Sequence, residues 1–143
     1  ILFRSLKISL IAIFPNFISS VVVLGVMGLL GIPLDMMTIT IAAISIGIAV
    51  DNTIHYLHRF EHEFRHDYDY VATMYRCHAS IGNAMYYTSI TIIIGFSILV
   101  VSNFIPSVLF GLLTGVAMAV ALVGSLTLLP HLILVFKPFG TGE

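Results

Sequence analysis

Charge is what this chain most lacks. Of its 143 residues 59% are apolar and only 9% are Asp, Glu, Lys or Arg, whereas roughly a quarter of a soluble domain is charged. That balance argues against a water-soluble fold. The few charges are also clustered: seven lie from Arg59 to Arg76, and the sixty residues between Arg76 and Lys137 carry none, a length suited to about two bilayer crossings. A single cysteine, Cys77, excludes an intramolecular disulfide framework, and a net charge of −1 offers no electrostatic footprint for nucleic acid. No glycine-rich phosphate loop, low-complexity tract or convincing internal repeat occurs. Ile1-Leu2-Phe3 ahead of Arg4 reads as the end of an earlier apolar segment and not as a signal peptide, whose basic flank comes first.

What is present is four long apolar stretches. The first, residues 8–31, carries Pro15, which predicts a kink. A turn at Gly31-Ile32-Pro33-Leu34-Asp35 follows, with Asp35 placed to cap the next helix. The second stretch, 36–57, has a β-branched, nearly alternating middle that in water would suggest a strand. A lone strand in lipid leaves its backbone groups unpaired, so a helix is expected. Ser102-Asn103-Phe104-Ile105-Pro106-Ser107 divides the remainder into helices over 81–101 and 108–136. The fold class is an all-α polytopic transmembrane bundle with four complete crossings plus the end of another. Residues 58–80 are expected to form a charged linker on the membrane surface, with Phe60, Phe64, Val71 and Tyr75 inserted at helical spacing. All six Lys and Arg residues fall on one side of these crossings, and the positive-inside rule then puts both termini and the linker in the cytoplasm. Gly111, Gly115 and Ala119 form a small-residue stripe suited to close helix packing.

Asp51 is the one charged residue deep within a predicted span. Its insertion penalty, about 2.5 to 3.5 kcal/mol near a bilayer centre, argues for a function. At about 100° per residue Thr40, Gly47, Asp51, His55 and His58 share one broad face. Gly47, one turn before the acid, leaves room for a partner, and desolvation against nearby charge would tune its protonation. A proton relay and a structural carboxylate satisfied by hydroxyls are the two readings. Thr88 or Thr91 of the third helix either reaches Asp51 or bonds back to its own turn. His62-Glu63-Phe64-Arg65-His66 matches the H-E-x-x-H pattern, in which two imidazoles hold zinc and the glutamate acts as base. It has no third ligand at a recognisable spacing, so His62, Glu63 and His66 read as a decoy, and neither a metal nor another cofactor is expected.

Five segments in order, Gly31-Ile32-Pro33-Leu34, Ile46 to His55, Tyr87 to Phe96, Phe110 to Thr114 and Leu128-Leu129-Pro130, resemble the resistance-nodulation-division (RND) exporters. The likeness is greatest to the hydrophobe-exporting MMPL-like branch, which shares its membrane fold with sterol-sensing domains. That resemblance implies that each half of the full protein has six helices, with a large extracytoplasmic domain after the first. It further implies that protons pass through an acid on the fourth helix of a half. The chain would then hold the end of a second helix and helices three to six, with Asp51 at the GxxxD relay position and Asn52 where many relatives carry Tyr or a second Asp. The implied function is export of hydrophobic or amphipathic, lipid-like substrates driven by the proton-motive force, not enzymatic catalysis, in a bacterial cytoplasmic (inner) membrane. Implied partners are membrane lipids, the substrate, the second transmembrane half with the extracytoplasmic domains, and further copies in a homo-oligomer. A sterol- or lipid-sensing domain without proton coupling is the alternative, followed by an intramembrane zinc protease.

Overall fold

The computed structural model of the chain describes residues 6–137, 139 and 140; Arg4 and the apolar start lie outside the described residues. Four helices, α1 (Leu6–Leu29), α2 (Met36–Asp67), α3 (Tyr70–Val101) and α4 (Ile105–Phe136), are each long and apolar enough to cross a bilayer. No strand occurs among the described residues, and the β-branched middle of α2 is helical throughout. Two helices change pitch within their length. α3 passes through a π-helical turn at His78–Gly82 and ends in a 3-10 turn at Ile98–Val101, and α4 passes through a π-helical turn at Gly124–Leu128.

The connection from α1 to α2 follows from its sequence. Gly31 adopts φ +66, a left-handed conformation open to glycine. Asp35 caps α2: its carboxylate accepts from the Thr38 amide at 2.9 Å, and its own amide donates to the Thr38 hydroxyl at 2.8 Å. The Thr38 amide holds the Asp35 carboxyl below its ordinary pKa.

The expected linker over 58–80 is corrected by the structure. α2 continues past Leu57 to Asp67, and α3 starts at Tyr70. Phe60 and Phe64 stay on the buried face and meet the Tyr70 ring at centroid distances of 6.2 and 4.4 Å, while Val71 and Tyr75 are exposed. Burial of aromatic surface thus extends the helix beyond its uncharged portion. Ion pairs one turn apart, Arg59–Glu63 and Arg65–Glu61, both at 2.7 Å, decorate the other faces. Tyr68 in the left-handed conformation (φ 56) and Asp69 capping α3 through the Val71 amide make the turn tight. Arg76 then reaches back to Asp67 at 2.8 Å and Glu63 at 3.3 Å, strapping the two helices together.

α4 is the centre of the bundle and packs on all three other helices, whereas α3 meets α2 chiefly through residues 70–82. One apolar cluster joins Val23, Met27, Ile41, Leu113 and Ala117. A larger one joins Ile8, Ile11, Tyr56, Leu57, Phe60, Leu129 and Ile133 with their neighbours. Along α1 and α2 the buried Asn16, Ser19, Asn52 and Thr53 fall between the two clusters, and the Thr53 hydroxyl donates to Asn16 Oδ1 at 3.3 Å.

Only one member of the small-residue stripe makes a close approach. A Cβ on Gly111 would lie 2.5 Å from the Phe96 carbonyl oxygen and 2.9 Å from Leu99 Cβ, whereas one on Gly115 would meet nothing within 4 Å. Ala119 is exposed. Four-residue spacing drifts about 40° per step on a 3.6-residue helix, so the stripe rotates out of the α3 contact.

Candidate functional site

α2 is amphipathic along an unusual axis. Its buried face carries Ile41, Ser45, Ala49, Asn52, Thr53, Tyr56, Phe60 and Phe64, while Thr40, Gly47, Asp51, His55 and His58 all lie on the opposite, exposed face. Asp51 Oδ1 lies 3.4 Å from His55 Nε2, with the two side chains 69% and 63% exposed. A Cβ at Gly47 would meet nothing within 4 Å, so the space one turn from Asp51 is open. The Asp51 carboxylate and the His55 imidazole face each other one helical turn apart, across a gap longer than a normal hydrogen bond. The same carboxylate, set on the apolar part of a spanning helix, is costly to leave against hydrocarbon.

Of the two readings for the α3 hydroxyls, bonding back to their own turn is the one the structure shows. Thr88 donates to the Ala84 carbonyl at 2.9 Å, Thr91 to Tyr87 at 2.8 Å and Thr40 to Met36 at 2.8 Å, each within its own helix. Thr88 and Thr91 are exposed on a stretch of α3 that packs on α4 and not on α2. Asn52 also leaves the Asp51 face. It turns inward and is 7% exposed, and its Nδ2 is buried without a hydrogen-bond partner among the described residues.

The H-E-x-x-H pattern sits in the charged C-terminal part of α2. His62 and His66 are exposed, with ring centroids 5.8 Å apart. Glu63 is tied by Arg59 at 2.7 Å and Arg76 at 3.3 Å, so its carboxylate is engaged in the hairpin strap. Among the described residues no three His, Cys, Asp or Glu side chains converge.

Sequence reasoning missed a second polar centre. Pro130 has no amide hydrogen to offer the carbonyl of Leu126 four residues earlier. His78 supplies a donor from α3: its Nε2 is 2.8 Å from Leu126 O. A carbonyl can only accept, which fixes the proton on Nε2. His78 Nδ1 lies 3.2 Å from the hydroxyl of the fully buried Tyr56 on α2 and 3.0 Å from the Met74 carbonyl. Both π-helical turns meet here, and a Cβ on Gly82 would lie 3.5 Å from Leu126 Cδ2. An open cleft of about 460 Å³ beside the junction is lined by His78, Thr127, Pro130 and His131 among others. The signal in the sequence was Pro130 itself, because a proline inside a spanning helix needs a neighbour to satisfy the freed carbonyl.

Four helices long and apolar enough to cross a bilayer define an integral membrane protein of the polytopic, all-helical class. The chain belongs to the MMPL family of the RND superfamily, whose family model matches residues 1–141. A Methanocaldococcus jannaschii protein, named as a candidate membrane protein, is 32% identical over 135 residues, covering 94% of this chain and 35% of that protein. The chain therefore spans about a third of that relative's length. No solved structure matches significantly.

Proposed function

We propose that this chain is the proton-carrying part of a secondary active exporter, with Asp51 as the relay and a hydrophobic or amphipathic, lipid-like molecule as substrate. The observation that carries this reading is the Asp51–His55 pair, 3.4 Å apart on an otherwise apolar spanning segment and facing open space beside Gly47. Leaving that face against lipid costs about 2.5 to 3.5 kcal/mol for the charge alone. The remainder of a longer polypeptide, or water held by it, covers the face in this reading. The distribution of Lys and Arg supports a cytoplasmic location for the α2–α3 hairpin and for the ends of α1 and α4 that lie beside it, in the cytoplasmic membrane. Membership of the MMPL family supports transport over catalysis.

The test is flux in vesicles containing the full-length protein. Efflux of a fluorescent amphipathic probe rises when an inward proton gradient is imposed and stops when an ionophore collapses it. Binding of sterol or lipid with no gradient-dependent flux would assign the protein to the sensing class instead.

A further inference from the structure

We propose that His78 is a second proton-binding site, which couples the position of α2, the helix carrying Asp51, to the π-helical turns of α3 and α4. The geometry admits two states. With His78 neutral, Nε2–H donates to Leu126 O and Nδ1 accepts from the Tyr56 hydroxyl, so one ring joins α2, α3 and α4. A proton taken up at Nδ1 turns that atom into a donor, and the Met74 carbonyl at 3.0 Å is in place to receive it. The bond to Leu126 survives and becomes charge-assisted. Tyr56 loses its acceptor in a fully buried position, and an unpaired buried hydroxyl is unfavourable. Protonation therefore keeps the bond between α3 and α4 while removing the hydrogen bond that α2 makes to the ring.

The proton reaches His78 from the cleft, whose wall the half-buried ring shares with His131 of α4 and Tyr75 of α3. The other titratable groups around the ring are Tyr56 from α2 and the adjacent Cys77; the charged Arg59, Glu63 and Arg76 act on Cys77 and are paired with one another. No step requires Asp51, which lies on the opposite face of α2.

Amide hydrogen exchange of the full-length protein in detergent micelles tests this. Rates are compared at pH 8 and pH 5.5 after correction for intrinsic chemistry. For the wild type, protection of the α2 amides from Asn52 to Phe60 should fall about fivefold at the lower pH, the effect of about one net hydrogen bond. His78→Gln keeps a donor for Leu126 and an acceptor for Tyr56 without titrating, and Tyr56→Phe removes the group that senses the change. Both should show the same protection at the two pH values. Asp51→Asn should keep the wild-type response, which separates this proposal from the relay assignment. A wild type without pH-dependent protection, or a His78→Gln variant that retains it, would overturn the proposal. So would loss of the response in Asp51→Asn alone.

Discussion

The two polar centres of this bundle are built on opposite plans. At the His78 junction each polar group has a partner supplied by another helix or by its own turn: Leu126 O, Tyr56 Oη and Met74 O surround one imidazole. At the Asp51 face the acid has a partner only one turn along the same helix, and its neighbour Gly47 opens onto empty space. A closed junction is what a lipid-embedded bundle needs to repair a proline-broken ladder. The Asp51 face is open and, among the described residues, contributes no contact between these four helices.

The sharpest way to break the comparison is to remove the junction. His78→Leu removes the ring partner of both Leu126 O and the Tyr56 hydroxyl, and at about 1–3 kcal/mol per group the loss should be about 2 to 6 kcal/mol. Thermal unfolding of the full-length protein in micelles measures it. Pro130→Ala restores an amide donor four residues after Leu126, so in that background the same substitution should cost about 1 kcal/mol less. Equal costs in both backgrounds would mean that the orphaned carbonyl is not what His78 serves.

A smaller effect separates two glycines of one motif. Gly111→Ala should destabilise by about 1–3 kcal/mol, because its Cβ would sit 2.5 Å from the Phe96 carbonyl. Gly115→Ala, with nothing within 4 Å, should stay within about 0.5 kcal/mol. Measured side by side, the pair shows whether close approach or small size alone matters along α4.

The four crossings and the Asp51 face were legible in the sequence, because hydrophobic length and a 100° periodicity are local properties. Asp35 was legible for the same reason: its cap closes over three residues. The α2–α3 hairpin was not. Its charges suggested a solvated linker, yet Phe60 and Phe64 keep the helical register of the buried face and draw the helix on to Asp67. The His78 junction joins residues 48 apart through a tertiary contact, and only the proline that makes it necessary is visible locally. Whether Thr88 and Thr91 reach Asp51 or bond back was open in the sequence, because only tertiary packing decides it: this part of α3 packs on α4, and both hydroxyls bond back to their own helix. The glycine stripe was read from spacing, which does not register the drift that carries Gly115 and Ala119 away from α3.

Asp51→Asn in the full-length protein decides whether Asp51 ionises during transport. The amide keeps volume and hydrogen-bonding capacity, cannot exchange a proton, and is cheaper to place in a membrane than the charged carboxylate. Stability and inserted amount should therefore match wild type within about 0.5 kcal/mol. Substrate efflux under an imposed pH gradient, normalised to inserted protein, should be abolished. Efflux at the wild-type rate with unchanged dependence on the gradient would contradict the relay and leave Asp51 a structural carboxylate.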